Sequence, residues 1–429
     1  MVTSPQPPNT MDEKLMAGKK NAKRGQDKHV SLPEPNLKRA FQLVMQLMAI
    51  PGKSGEEGQV ADFIRQKLLD AGAPESAIRT DTAHRRTPIA GETGNLVLRL
   101  PGTSKTPRRM FSSHMDTVPI CVGSKPKANG RMVRSADPKT GLGADDRAGV
   151  AVTLNTALEI LENDLPHPPL TFCWFIQEEN GLQGARLIRQ SMLGKPGLAF
   201  NWDGGSPLKI TIGATGGYRL LIEITGLASH AGGAPEMGVS AIAVASLAIA
   251  DLHREGWHGA IQKENNIGTS NVGFIHGGEA TNVVTDQVIL KAEARSHDPK
   301  FRKRILDEIK KAFKKAAAEV KNVAGMRGSV KFDGRLDYES FKLSIDEPCV
   351  KAAELAVRSI EREPEHAIAN GGVDANWLTA HGIPTVTLGC GQLNQHMTSE
   401  ALDIDLYHDA CRIALRLATG TEATSSFED

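Results

Sequence analysis

The sequence has no apolar run approaching the roughly 18 to 20 residues that a membrane helix needs. Its start, Met1 to Val30, is polar and lacks the apolar stretch of a secretory signal. These two absences lead us to expect a cytoplasmic protein without membrane attachment. Cysteine is scarce: Cys121, Cys173, Cys349, Cys390 and Cys411 are scattered, odd in number and without paired spacing. That pattern argues against a disulfide framework and against a Cys-ligated metal, so they read as reduced core thiols. An excess of charge is missing too, with 51 Lys plus Arg against 50 Asp plus Glu and a pI near 7.7. Nothing in that balance asks for nucleic acid or an anionic membrane, and the expected partner is a small or neutral molecule.

What the sequence does have is length and histidine. At 429 residues it exceeds what one hydrophobic core usually serves, so two domains are expected. Thirteen histidines are present, several beside Asp or Gly in loop-like segments, and the chemistry should lie there.

Residues 1–35 carry few large apolar side chains and cannot offset the entropy of ordering, which reads as a disordered tail. Asn36 then caps a helix with Leu37, Phe41, Val44 and Met48 at helical spacing, and Ser54 with Glu57 resembles a capping box opening the next helix. Short, mostly unalternating apolar strands follow, at Asn95 to Leu100, Arg109 to Ser113, Leu170 to Ile176 and Leu198 to Trp202. They alternate with helices at Asp146 to Asn163 and Leu182 to Ser191, as in a sheet covered on both faces. The expected fold is α/β, with a three-layer catalytic domain built on a mixed sheet.

After Gly213 the pattern changes to strand Tyr218 to Thr225, helix Pro235 to Arg254, strands Thr269 to His276 and Val283 to Arg295, helix Pro299 to Lys321, and strand Ser329 to Phe341. That β-α-β-β-α-β order is the ferredoxin-like split unit and reads as an inserted α+β lid domain over residues 214–343. The catalytic domain would then be discontinuous, residues 36–213 and 344–421.

Ligands in open α/β sheets collect beyond the carboxyl ends of strands. His114 and Asp116 follow the strand Arg109 to Ser113, and period-two geometry points both side chains to one side. Asp145 and Asp146 sit in a small-residue loop running into a helix; Glu178 and Glu179 follow one strand; Asp203, before Gly204 and Gly205, follows another. His396 ends a loop after the strand Pro384 to Leu388. Singly, each acidic residue reads as a helix cap or a solvated turn; five such places at strand ends read as one site. Histidines and carboxylates without Cys suit Zn, Co or Mn. One Asp with two oxygens can bridge a catalytic metal pair, with a Glu left over as base.

The runs Ser113-His114-Met115-Asp116-Thr117-Val118-Pro119, Gly143-Ala144-Asp145-Asp146-Arg147-Ala148-Gly149 and Glu178-Glu179-Asn180-Gly181-Leu182-Gln183-Gly184 resemble the dinuclear zinc metallopeptidase family of peptidase T, carboxypeptidase G and aminoacylase. Peptidase T-like proteins are the nearest in pattern. Asn201-Trp202-Asp203-Gly204-Gly205, Ala228-Ser229-His230-Ala231-Gly232 and His396 extend the resemblance over about residues 36–420. It implies that His114, Asp145 and Asp203 hold one metal and Asp145, Glu179 and His396 the other; choosing Asp145 over Asp146 rests on the family pattern alone. It implies Asp116 as the partner fixing the His114 tautomer, and Glu178 as the general base that passes a proton to the leaving amine. It also implies a homodimer through the lid, in which His230 reaches the neighbouring site to stabilise the oxyanion. Asn282 and Arg295 resemble contacts to a substrate carboxylate.

One departure stands out. Where peptidase T has an Arg that grips substrate, this chain has Asn370, and an amide does not replace a guanidinium as a carboxylate clamp. His253, His258, His276 and His366 match no motif and read as structural or exposed. The expected activity is cleavage of small-peptide amide bonds, foremost by a tripeptide-type aminopeptidase. Removal of acyl groups or carboxyl-terminal residues is the alternative, and a non-catalytic metal- or peptide-binding protein the remote one.

Overall fold

The structure, a computed structural model, describes residues 32–421. Residues 1–31 of the expected tail lie outside them. Ordered contacts begin ahead of residue 36, because Glu34 accepts from Arg412 at 3.2 Å and from Arg416 at 2.6 Å. Asn36 caps the helix Leu37–Ala49, accepting from the Arg39 amide at 3.0 Å. The expected capping box does not form. The helix Gly58–Asp70 starts without a side-chain cap, and Ser54 and Glu57 turn elsewhere, as described below.

A nine-stranded mixed sheet organises the larger part of the chain. Along it run Ile78–Thr80, Leu96–Leu100, Leu170–Phe175, Arg109–His114, Leu198–Trp202, Thr385–Leu388, Lys209–Ala214 and Phe341–Lys342, with Glu365–Ala369 pairing in parallel to Lys209–Ala214. The four central strands, 109–114, 170–175, 198–202 and 385–388, are mutually parallel. Their carboxyl ends therefore open on one edge. Period-two alternation divides the side chains between two cores. Leu96, Leu98, Phe111, Phe172, Trp174 and Phe200 face one core, shared with helices Leu37–Ala49, Ala144–Glu162 and Ile404–Thr419; Val97, Met110, Cys173 and Ala199 face the other. Phe111 stands in register with both Phe172 and Phe200, ring centroids 5.4 and 5.6 Å away. Each buried ring contributes on the order of 2 kcal/mol, so a one-residue slip that turned this row outward would be costly.

The expected helix Leu182 to Ser191 is cut to Gln183–Leu187 because Ile188 turns extended, which lets it and, after a short 3-10 turn, Met192 and Leu193 fill the second core. The strands at 209–214 and 365–369, unanticipated from the sequence, complete the sheet.

A second, five-stranded antiparallel sheet orders as Gly259–Lys263, Asn266–Gly277, Gln287–Ser296, Gly216–Thr225 and Ser329–Tyr338. Without its first edge strand this is the ferredoxin-like order. Helices Ala241–Arg254 and Pro299–Glu319 pack on one face around their own core, which includes Ile222, Val244, Leu290 and Phe313. The first of these helices begins at Ala241 rather than Pro235, where Ser240 caps it by accepting from the Ala243 amide at 3.1 Å. A small third sheet pairs Gln392–Leu393 with Ala401–Asp403, Met132–Ser135 and Pro126–Asn129. Among the described residues no helix is long and apolar enough to cross a membrane.

Candidate metal centre

His114 ends its central strand with its side chain buried, and the ring is held at both nitrogens. Nδ1 lies 3.3 Å from an Asp116 carboxylate oxygen; Nε2 faces Asp145 Oδ1 at 3.2 Å and Glu178 Oε2 at 3.9 Å. Asp145 sits in the non-helical first turn of the segment Ala144–Glu162, and its Oδ2 lies 3.3 Å from His396 Nε2. The same His396 nitrogen is 3.0 Å from Glu179. His396 is carried on the loop between the short paired strands 392–393 and 401–403, which projects it back over the sheet edge.

The donor atoms of His114, Asp145 and Asp203 lie within 4.8 Å of one another, and so do those of Asp145, Glu179 and His396. Asp145 belongs to both groups, one oxygen toward each histidine. Glu178 joins His114 and Glu179 in a third group of the same size.

Hydrogen bonds sort the buried carboxylates into two kinds and separate Asp145 from Asp146. Asp146 accepts from the amides of His114 at 3.0 Å and Gly149 at 3.1 Å and from the Gln392 side chain at 2.8 Å. Asp116 accepts from Ser54 Oγ at 2.6 Å and from the Glu178 and Glu179 amides at 2.9 and 3.2 Å. Glu57 accepts from the amides of Gly55 and Gln177. Ser54 and Glu57, which looked like a local capping box, thus fasten the loop that carries Glu178 and Glu179. The carboxylates of Asp145 and Glu179, by contrast, meet only histidines among the described residues. Asp203 accepts no hydrogen bond from them. Those oxygens remain able to hold a cation.

Sequence reasoning missed two more buried acids. Glu400 clamps the Asp145 loop: its Oε2 accepts from the Leu142 and Gly143 amides at 2.8 and 2.7 Å, and its Oε1 from the Asp145 amide at 3.0 Å. Asp374 is buried with both carboxylate oxygens unpartnered. It follows the strand 365–369, so the strand-end rule would have flagged it had that strand been recognised.

Among the described residues only histidines form ion pairs with this cluster. Among the described residues no Lys or Arg forms an ion pair with Asp145, Glu178, Glu179, Asp203 or Asp374. Burial and Asp145 push Asp203 up to about 7, and the same two causes push Glu179 up to about 7. Burial and the neighbouring acids push Asp374 to about 8 despite the pull of His114. Glu178 is driven well above the carboxylate range, chiefly by burial. Burial pulls His114 down, but Asp116 and Asp145 outweigh it and hold the ring well above its ordinary value; hydrogen bonding to Asp145 and Glu179 lifts His396 to about 10. An acidic, histidine-bearing cluster of this kind suits divalent cations with borderline-to-hard preference.

Comparison with known proteins gives the family. The model for peptidase family M20/M25/M40 matches residues 110–420. The chain belongs to that family. It is therefore a metallopeptidase. This M20 peptidase is 33% identical over 373 residues to YqjE of Bacillus subtilis, an uncharacterized protein, covering 86% of this chain and 95% of the relative. It is 28% identical over 319 residues to carboxypeptidase G2 of a Pseudomonas species, covering 72% of each. The structure resembles a Staphylococcus aureus tripeptidase, with TM-score 0.80 and 30% identity over 91% of this chain and 100% of that one. It also resembles aminopeptidase PepT of Bacillus cereus, with TM-score 0.76 and 30% identity over 90% and 98%.

None of the remaining sequence candidates forms a hydrogen bond or ion pair with the acidic cluster among the described residues. His230 is exposed on a turn bridged to Val283, and its Nδ1 accepts from the Gly232 and Gly233 amides at 3.1 and 2.8 Å. Asn282 adjoins it, its carbonyl accepting from the Ala231 amide at 2.9 Å. Arg295, half-buried on the second sheet, pairs with Glu293 at 3.0 Å. Asn370 Oδ1 lies 3.3 Å from His297 Nε2, two residues beyond Arg295.

Proposed function

We propose that this M20 peptidase is a dinuclear aminopeptidase that removes the first residue from short peptides, tripeptides foremost. The observation that carries the reading is the pair of donor groups sharing Asp145, with Glu178 beside them. His114, Asp145 and Asp203 would hold one ion and Asp145, Glu179 and His396 the other; zinc suits the set, and cobalt or manganese would also be accepted. Two divalent ions there supply Lewis-acid polarisation of the scissile carbonyl and acidification of a water.

The chain's own groups do the rest. Glu178, whose burial favours a proton, takes one from the attacking water and delivers it to the leaving amine. Asp116 keeps the His114 proton on Nδ1, so that Nε2 offers a lone pair toward Asp145 and the site. The 214–343 segment acts as a lid and as the contact of a homodimer. With His230 Nδ1 accepting from two amides, its Nε2 carries the proton and can donate to the oxyanion in a neighbouring subunit. Arg295 and Asn282 face the carboxylate end of the substrate.

A second reading, an amidohydrolase for acyl amino acids or carboxyl-terminal residues, is favoured by Asn370: no guanidinium stands there to grip a tripeptide carboxylate. Mass spectrometry of products separates the two. Metal-reconstituted protein would be given free tripeptides, their N-acetylated and C-amidated forms, and N-acyl amino acids, with Glu178→Ala as control. First-residue release that N-acetylation and the variant both abolish is expected. Cleavage confined to N-acyl substrates or to carboxyl-terminal residues would replace the first reading with the second.

A further inference from the structure

Three arginines converge at the edge of the nine-stranded sheet that lies opposite the acidic cluster. Arg79, Arg99 and Arg108 line a recess of about 320 Å³ with Ser76, Ala77, Leu100 and Pro101. Antiparallel pairing brings them together: Arg79 stands opposite Val97, Arg99 opposite Thr171, and Arg108 directly precedes the strand Arg109–His114. That strand spans roughly 17 Å at about 3.3 Å per residue, so the recess is remote from His114.

Their charges are unanswered. None of the three guanidinium groups forms an ion pair with a described carboxylate, although Glu75 is next to Ser76. The Arg79 and Arg99 guanidinium groups make no hydrogen bond to any described residue. Arg108 is fixed in place: its Nη1 donates to the carbonyl oxygens of Leu100 at 3.2 Å and Leu170 at 2.5 Å. Burial, and Arg99 nearby, make its charge harder to hold.

Gly194 packs between the two inner arginines. A Cβ at this glycine, whose φ is +75°, would stand 2.8 Å from Arg99 Nη2 and 2.9 Å from Arg108 Nε. The Arg99 and Arg108 guanidinium groups therefore lie against the same backbone position and close to each other. Planar, permanently charged donors gathered without carboxylates match a tetrahedral oxyanion.

We propose that this recess is a binding site for a phosphate group, free or as the ester of a small molecule, separate from the metal centre. The probe is inorganic phosphate, titrated calorimetrically into the metal-loaded protein at an ionic strength held constant with chloride. Phosphate at the metal centre would be common to all variants, so the informative comparison is wild type against Arg79→Gln/Arg99→Gln. Arg108 stays intact because it also ties two strands. The wild type should show a binding component that the double variant weakens at least tenfold, with peptide turnover unchanged. Arg79→Gln alone, at an exposed position, should give a partial loss and serves if the double variant unfolds early. Superimposable isotherms, or equal heats when chloride replaces phosphate, would overturn the proposal. Glycerol 2-phosphate in place of phosphate distinguishes the sources: tighter binding assigns the site to an ester, equal binding to the phosphate group itself.

Discussion

The two ends of the parallel strands carry charge of opposite sign. At the carboxyl ends, acids are buried together and find histidines and backbone amides but no Lys or Arg as ion-pair partner among the described residues. At the amino ends, Arg79, Arg99 and Arg108 share a recess and form no ion pair with a described carboxylate. The acids at the first end are of two kinds. Asp116, Asp146, Glu57 and Glu400 accept from backbone amides and hold loops in place, with Glu57 Oε2 alone among their oxygens left unpartnered; Asp145, Glu179 and Asp203 accept from no amide of the described residues. Sorting by hydrogen-bond partners thus separates positioning groups from prospective ligands more sharply than burial does, since both kinds are buried or nearly so.

The comparison can be broken most severely at Glu178. Glu178→Ala should lower turnover by about 10³-fold or more with metal content unchanged, measured by peptide hydrolysis alongside elemental analysis. Retained activity would remove Glu178 from the chemistry. Next is the positioning class. Glu400→Ala frees three loop amides around Asp145, and metal affinity should fall by about 10- to 100-fold as read by competition with a chelator. An unchanged affinity would mean that the loop holds itself.

The acid end should also be sensitive to pH, with a sign fixed by its shifts. Asp203 and Glu179, raised to about 7, and Asp374, raised to about 8, keep protons in the folded chain that the unfolded chain has released. His396, raised to about 10, keeps one above its unfolded value as well. The metal-free protein should therefore lose stability as pH rises from about 5 to about 8, by at least about 5 °C in thermal midpoint. Cations displace those protons, so metal affinity should rise over the same interval. A metal-free protein that gained stability toward pH 8 would contradict the charge account. In the homodimer reading, mixing Glu178→Ala with His230→Ala subunits should restore part of the activity that each lacks; mixtures as inactive as their parts would leave His230 outside the chemistry. The smallest effect is at Asn370, where Asn370→Arg should shift preference toward free tripeptides over their C-amidated forms by several-fold in kcat/KM.

Much of this was legible in the sequence, and particular residues show where legibility ended. His114, Glu178, Glu179 and Asp203 could be brought together because each lies at or within a few residues of the end of an apolar strand, and the topology delivers strand ends to one edge. Ser54 and Glu57 misled because a Ser-x-x-Glu pattern is a local signature, whereas their partners, Asp116 and the Gln177 amide, come from distant strands. Glu400 had no local signal: it meets Asp145 across more than 250 residues. The helix after Leu182 was overextended because the need to fill the second core with Ile188 and Leu193 outweighs helical preference there.

The most direct test of the central claim is the number of ions that the acid end holds. Native mass spectrometry of zinc-reconstituted protein should show two ions per chain in the wild type. Asp203→Ala should retain one, and Asp145→Ala should retain neither firmly, with turnover lost in both. A wild type that binds one ion or none, or that hydrolyses peptides at full rate after its metal is stripped, would contradict the assignment of Asp145 as the shared ligand of a catalytic pair.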